Sequence, residues 1–216
     1  LLFTPPASET FVLEPDAPVG NEVTLRLTIE GLEHGGARLT PSGGAYAPGT
    51  TVEILARPVS SGALLGFGGD IDDATIEALE GGDVIATVVM TANREVTASF
   101  GAALMVASFN NDVVYRVHPE SGEILEELRA GFTPMGIALD NDGNILIANR
   151  IANLVQRYRF EINNTEAFAS GPGLYSPRYM TIGPNGNLFV VCSNEPNSPD
   201  RELEQVLEVN PDTGAI

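Results

Sequence analysis

The chain has 216 residues, 43% of them hydrophobic, which is enough for one large or two small globular domains. Its formal net charge is −18 and all 11 basic residues are arginines, so no basic patch can form and nucleic acid is excluded as a partner. No apolar run approaches the roughly 18 residues that a membrane span requires. The single cysteine, Cys192, excludes an internal disulfide framework, and its place in an apolar strand predicts that it is buried.

Residues 1–20 are rich in proline and predict a linker or arm with one short strand at Thr10–Leu13. Beyond them, up to residue 100, the pattern is one strand after another with glycine and proline turns between. Alternating or short apolar runs predict strands at Val23–Ile29, Thr51–Ala56, Ala63–Phe67, Val84–Met90 and Glu95–Phe100.

Two further features of this region are turn or helix signals. Gly35-Gly36 predicts a turn, and Asp73–Glu80 is the one stretch that could form a helical turn or two, ended by Gly81-Gly82. His34, beside the first of these turns, is expected to be an exposed turn residue.

Residues 21–100 carry a specific pattern. It reads as the segment Leu39–Pro58 (L-T-P-S-G-G-A-Y-A-P-G-T-T-V-E-I-L-A-R-P), then Phe67–Asp70, then Val88–Phe100. This pattern resembles the bacterial extracellular repeat domain related to the internalin B-repeat, a small β-grasp-like or sandwich-like module. Phe67 stands where that family usually has a tryptophan. The resemblance implies a spacer or adhesive module on secreted and surface proteins.

A repeat organises residues 101–216. The stretch Phe132–Asn149 recurs as Tyr175–Ser193, with Pro134 and Pro177 separated by 43 residues. Each copy reads proline, a short apolar strand, an Asn/Asp-Gly turn, asparagine and a second apolar strand. A strand-rich period of about 40–50 residues is typical of a β-propeller blade.

Aligning the copies predicts the remaining strands of this region. They are Ala103–Phe109, Asn144–Arg150 and Asn187–Ser193, followed by Val113–His118, Leu154–Arg159 and Gln205–Asn210. Proline and glycine predict equivalent turns at Pro119–Gly122 and Pro211–Gly214. The middle copy has Glu161–Thr165 in that place, and the third carries a longer polar loop, Asn194–Glu204.

The segment Pro134–Asn149 resembles blades of the NHL and streptogramin-lyase-like β-propellers, which read P-x-G-I-A-V-D-x-D-G-N-I-Y-V-A-D. The second copy departs from that pattern, with Tyr179 for the glycine and Gly183 for the first aspartate. The resemblance implies a propeller fold whose members include lyases, lactonases and binding modules. His118 stands in no matching motif, so no catalytic role is carried over to it.

Residues 101–216 hold about two and a half blades, whereas a closed propeller needs ~4–8. We therefore expect the sequence to be a piece of a longer protein. The alternative is that several copies complete a ring.

The best metal candidate is the cluster of Asp70, Asp72 and Asp73, three carboxylates that calcium would suit and solvent would also satisfy. Asp140–Asn144 looks like the start of a calcium loop, but Ile151 occupies the twelfth position, so we interpret it as a hairpin turn. Arg157 and Arg159 share a strand face. They could meet an anionic ligand, although pairing with carboxylates is favoured.

The sequence predicts an all-β protein: a small β-rich repeat domain at 21–100 and a partial β-propeller at 101–216. The favoured function is a secreted or cell-surface bacterial structural and interaction protein that binds a protein or a glycan. One alternative is a propeller enzyme of the lyase or lactonase class, with its site in further blades. The other is a self-assembling subunit of an extracellular filament or layer.

Overall fold

A computed structural model describes residues 9–59, 61–131, 133–140, 142–160, 164–193 and 205–216. Their regular structure consists of 19 β-strands and one short 3-10 helix, which confirms the predicted all-β class. None of these residues belongs to a helix that is long and apolar enough to cross a bilayer. The chain divides into two compact units: Leu1–Ala103 with His118–Glu126, and Leu104–Val117 with Glu127–Ile216.

Nine strands build the first unit. They are β1 (Thr10–Leu13), β2 (Val23–Glu30), β3 (Gly35–Thr40), β4 (Ala45–Tyr46), β5 (Thr51–Pro58), β6 (Gly62–Gly69), β7 (Thr75–Ala78), β8 (Val84–Val89) and β9 (Arg94–Ala102). One sheet has the order β1-β2-β9-β6, with β4 also paired to β2; the other has the order β3-β5-β8-β7. Strands β2 and β9 are parallel, and the other pairs are antiparallel.

The predicted alternation explains the core of this unit. In β5, Val52, Ile54 and Ala56 are fully buried, whereas Thr51 and Glu53 between them are exposed. Residues of both sheets form one apolar cluster, which also contains Leu25, Leu27, Val88, Met90, Val96 and Phe100. The period of two therefore places one face of each sheet in a shared core.

Two expectations in this unit are wrong. Gly35-Gly36 begins strand β3 instead of forming a turn, and a Cβ atom at Gly35 would collide with the Phe100 ring. The glycine serves close packing here rather than chain reversal. The stretch Asp73–Glu80 contains the exposed strand β7, which pairs with β8, and the 3-10 helix follows at Glu80–Gly82.

Three antiparallel sheets build the second part of the chain. The first sheet is β10 (Leu104–Ser108), β11 (Val113–Val117) and β12 (Ile124–Arg129). The middle sheet is β13 (Pro134–Leu139), β14 (Ile145–Asn149), β15 (Leu154–Arg159) and β16 (Asn164–Ser170). The third sheet is β17 (Pro177–Ile182), β18 (Leu188–Cys192) and β19 (Gln205–Val209). The loop expected at Asn194–Glu204 and most of that at Glu161–Thr165 lie outside the described residues.

The sheets stack face to face, as propeller blades do. Ile145 and Ile147 of β14 pack in one cluster with Val114 and Leu128 of the first sheet. The intervening Leu146 packs in a second cluster with residues of the third sheet, among them Leu188, Val190 and Cys192. Every residue of β14 is therefore buried, because the middle sheet is covered on both faces.

One complete and two shorter sheets correspond to the predicted two and a half blades. Strands β10, β14 and β18 begin at Leu104, Ile145 and Leu188, which are aligned positions of the repeat. Strand β14 is the second strand of its sheet and β18 the second of the third sheet, but β10 is the first of its own. Among the described residues, the first sheet thus lacks the strand that precedes its counterparts.

Candidate functional site

The three aspartates singled out as a metal candidate lie in the loop after β6, and an arginine organises that loop. Arg94 donates two 2.6 Å hydrogen bonds to the carboxylate of Asp73 and further bonds to the carbonyl oxygens of Asp70 and Val89. The Asp70 carboxylate accepts a bond from the Glu95 amide, whereas Asp72 is exposed. The Arg94 guanidinium thus supplies the positive charge that a metal ion would bring to Asp73, and the Arg94 side chain is only 9% exposed.

Among the residues with described positions, no group of three or more His, Cys, Asp or Glu side chains is arranged to hold a metal ion. Calcium binding at Asp70, Asp72 and Asp73 stays a prediction. It would require the ion to compete with Arg94 for the Asp73 carboxylate.

Asp73→Asn gives a pH-dependent prediction. Hydrogen bonding to Arg94 lowers the pKa of Asp73 below its usual value. Its contribution to stability is therefore complete above the unfolded-state pKa of about 3.9 and is lost as the pH falls through the lowered folded-state pKa. In urea unfolding, the wild-type protein should exceed Asp73→Asn in stability at pH 6, and this difference should shrink steadily below pH ~4. A difference that does not change with pH would contradict the role assigned to the ionised pair.

The loop at Asp140–Asn144 is a hairpin turn, as predicted. The Asp140 Oδ1 atom accepts hydrogen bonds from the backbone amides of Asp142 and Asn144, and Asn144 Nδ2 also donates to the carboxylate. Arg157 Nε lies 2.9 Å from Asp140 Oδ2, with both side chains largely buried. The expected pairing of Arg157 with a carboxylate is confirmed, and Arg159 likewise lies 3.7 Å from Glu166.

Arg157 makes two further contacts, one with the third sheet and one within the middle sheet. Its Nη2 atom donates a 2.8 Å bond to the carbonyl oxygen of Pro211, in the turn after β19. Its guanidinium lies 4.2 Å from the centre of the Phe168 ring. All of these partners belong to the fold itself, so the geometry assigns Arg157 an architectural role.

The remaining residues considered in the sequence also serve structure. Cys192 is fully buried, as predicted, and burial raises the pKa of its thiol to about 11. The expectation that His34 is exposed is wrong: it is half-buried and lies 3.7 Å from Glu33. His118 is also half-buried: Nδ1 accepts bonds from the amides of Glu120 and Ser121, and Nε2 contacts the carbonyl oxygen of Leu64 at 3.0 Å. No pair of these groups converges on a reactive centre.

A repeated contact that the sequence did not predict holds successive sheets together. The side-chain oxygen of Asp112 accepts a 2.8 Å bond from the Thr133 amide, and that of Asn153 accepts an identical bond from the Ser176 amide. We call each pair a latch. It joins the loop after the aligned strands β10 and β14 to the residue before the proline that starts the next sheet. The spacing gives a signal, because Thr133 and Ser176 are 43 residues apart, as their prolines are.

The latch residues are strained. All four have positive φ angles: 57° for Asp112, 51° for Thr133, 54° for Asn153 and 45° for Ser176. No other described non-glycine residue has a positive φ. Left-handed backbone costs about 1–2 kcal/mol per residue, and such strain concentrates at functional sites.

Asn153→Ala should destabilise the second unit by about 2 kcal/mol. The change removes the acceptor for the Ser176 amide and leaves alanine in a left-handed conformation that asparagine tolerates better. Native-state hydrogen exchange of the β15 and β17 amides would measure the loss. Asn153→Asp is the matched control: aspartate makes the same contact at position 112, so it should cost less than about 0.5 kcal/mol. Equal losses for the two variants would refute the latch.

The latches identify one end of the stack as a candidate binding surface. We call it the latch end; it comprises the described residues of the loops β10–β11, β12–β13, β14–β15 and β16–β17. Phe109 and Ile151, in two of these loops, are 42% and 67% exposed. Exposed apolar side chains on loops with strained backbone are typical of surfaces that bind a partner, so we interpret these two residues as part of a binding surface.

A groove of about 500 Å³ opens beside the latch end on the first sheet. It is lined by Asn111, Asp112, Val113, Glu127, Arg129 and Gly131. Glu127 and Arg129 are exposed and form no ion pair with any described residue. The groove therefore offers a carboxylate, a guanidinium and an amide to a polar ligand, within the size range of ligand sites.

No protein-family model matches the chain, and no curated protein matches it. A protein of unknown function from Bacteroides caccae is 17% identical over 74% of this chain and 75% of its own, with a TM-score of 0.42. Virginiamycin B lyase from Staphylococcus aureus is 13% identical over 96% of this chain and 62% of its own, with a TM-score of 0.33. An auxiliary nutrient binding protein from Bacteroides ovatus is 9% identical over 94% and 59%, with a TM-score of 0.31. The chain spans less than two thirds of the last two proteins, and likenesses this weak carry no argument about its function.

Proposed function

We propose that this protein is a secreted or cell-surface bacterial interaction protein. Its propeller-like sheets bind a protein or a glycan at the latch end, and residues 21–100 act as a spacer or adhesive module of the internalin B-repeat-like kind. The groove beside the latch end carries this proposal. Its exposed Glu127 and Arg129 form no ion pair with a described residue, and they share the groove with Asp112, which belongs to a latch with strained backbone.

The charge and the buried polar groups support the same proposal. A net charge of −18 without lysine suits an exposed setting and disfavours anionic partners. Inside the stack, the buried Asp140, Asn144 and Asn149 are engaged in turns and strand ends. The polar groups of the groove, in contrast, are exposed to a partner.

The test is a binding screen against a printed glycan array and a displayed peptide library. The affinity of each ligand found is then measured for the wild-type protein and for the double variant Glu127→Gln/Arg129→Met. A matched control is Glu53→Gln/Arg38→Met, which removes the same two charges from exposed strands of the first unit. We expect affinity to fall at least tenfold, about 1.4 kcal/mol, in the first variant and to be unchanged in the control.

Two results would overturn this proposal. Equal binding by both double variants would move the site away from the groove. Chemical conversion of a bound ligand, detected by mass spectrometry, would favour the enzyme alternative over a binding protein.

A further inference from the structure

Among the residues that the structure describes, no strand pairs with one edge of β10, whereas its counterparts in the repeat are paired on both edges. Strand β14 lies between β13 and β15, and β18 lies between β17 and β19. Strand β10 pairs with β11 on one side and forms the edge of the first sheet on the other. Strands β13 and β17, which pair with the matching edges of β14 and β18, therefore indicate what kind of segment could pair with β10.

The two occupied positions have the same register. Pro134 is opposite Asn149 in the middle sheet, and Pro177 is opposite Cys192 in the third. In both sheets an irregularity follows the proline, and in the third sheet Tyr179 then pairs with Val191. The next three residues pair in the same order in both sheets, beginning with Ile137 opposite Ile147 and Met180 opposite Val190. The register is therefore a property of the repeat and not of one sheet.

One face of β10 is exposed, because no described sheet covers it in the way that the first sheet covers the matching face of β14. Leu104 and Val106 are 52% and 46% exposed, whereas the aligned Ile145 and Ile147 of β14 are each 1% exposed. The strand reads L-M-V-A-S and contains no charge or proline. Natural edge strands carry such residues to prevent pairing, so β10 lacks the usual protection against an added strand.

We propose that the free edge of β10 binds an extended peptide segment by antiparallel strand addition. The segment has the pattern of β13: a proline, one residue of free choice, a glycine, and then three uncharged, mainly apolar residues, as in β17. The proline lies opposite Ser108, and the three following residues lie opposite Val106, Met105 and Leu104. Main-chain hydrogen bonds supply affinity, and the alternating apolar side chains supply selectivity.

The pattern of the two known occupants limits the partner. A Cβ atom at Gly136 would lie 2.6 Å from the carbonyl oxygen of Arg178 in the next sheet, so that position requires glycine, whereas Tyr179 at the same place in β17 is 61% exposed. The three residues that follow are apolar in both strands except for Thr181. An acidic segment is a poor partner, because it would place charges against Leu104 and Val106 on a protein that is already strongly acidic.

A site-specific disulfide tests the register. The protein carries Val106→Cys, and the probe is a synthetic Thr133–Leu139 peptide carrying Ile137→Cys, in a glutathione redox buffer. The native Cys192 is fully buried and does not compete. The control peptide carries Ala138→Cys instead, which places the thiol on the opposite face of the added strand. We expect disulfide formation to be at least tenfold faster with the first peptide, and equal rates would overturn the proposal.

Hydrogen exchange on the unmodified protein gives an independent measurement. The unsubstituted Thr133–Leu139 peptide should slow exchange of the Leu104–Ser108 amides at least threefold, and a scrambled peptide should not. No slowing at saturating peptide concentration would overturn the proposal. Protection that rises with protein concentration in the absence of peptide would show that a second copy covers the edge, and would also overturn it.

Discussion

Asp140→Ala is expected to lower the free energy of unfolding of the second unit by about 3–5 kcal/mol. The change removes the turn acceptor for two backbone amides and leaves Arg157, whose side chain is 14% exposed, without its carboxylate. An unpaired charge in that position is costly because the surrounding sheets exclude water. Hydrogen exchange of the β14 and β15 amides would measure the loss within this unit.

Two further variants separate the charge from the turn. Asp140→Asn retains an oxygen for the amides of Asp142 and Asn144 but loses the ion pair, so its cost should be intermediate. In an Arg157→Met background, Asp140→Ala should cost at least about 2 kcal/mol less than in the wild type, because no guanidinium is then left without its carboxylate. The same cost in both backgrounds would contradict a coupled pair.

Leu146→Ala is expected to destabilise the second unit by about 2–5 kcal/mol. Leu146 is fully buried between the middle and third sheets, and its removal leaves a cavity that the facing residues Leu188 and Val190 cannot fill without moving the sheets. Urea unfolding followed by circular dichroism would measure the loss.

Phe189→Ala is the matched control, since Phe189 occupies the position of Leu146 one repeat later. Its face of the third sheet is only partly covered, so this substitution should cost less than half as much although the side chain is larger. An equal or greater cost for Phe189→Ala would show that the third sheet is covered in solution. That result would contradict the difference in burial between the two positions.

The third sheet shows how the repeat adapts to a missing charge pair. Gly183 stands in place of Asp140, and Glu208 stands in place of Arg157. Asn185 and Asn187 instead donate bonds of 2.8 and 2.7 Å to the Glu208 carboxylate, and these bonds lower its pKa. The turn and the third strand of each sheet are therefore linked in both copies, by different chemistry.

The candidate site could be anticipated only in part. The proline spacing marks where each sheet begins, and Thr133 and Ser176 precede those prolines. Nothing local shows that Asp112 and Asn153, about 20 residues upstream in each case, supply the acceptors. The groove beside them is lined by residues of β11, β12 and two loops, which are brought together only when β11 and β12 pair in the first sheet.

The sequence by itself determined most of the strands, the hairpin turn at Asp140, the burial of Cys192 and the repeat of 43 residues. These features depend on neighbours along the chain: apolar alternation selects a face, and proline and glycine select turns. Only the tertiary structure decided that Gly35 packs against Phe100, that Arg94 takes the carboxylate of Asp73, and that β10 keeps a free edge. Each of these is a contact between segments distant in sequence, and its partner is chosen by sheet order and stacking, which no local pattern encodes.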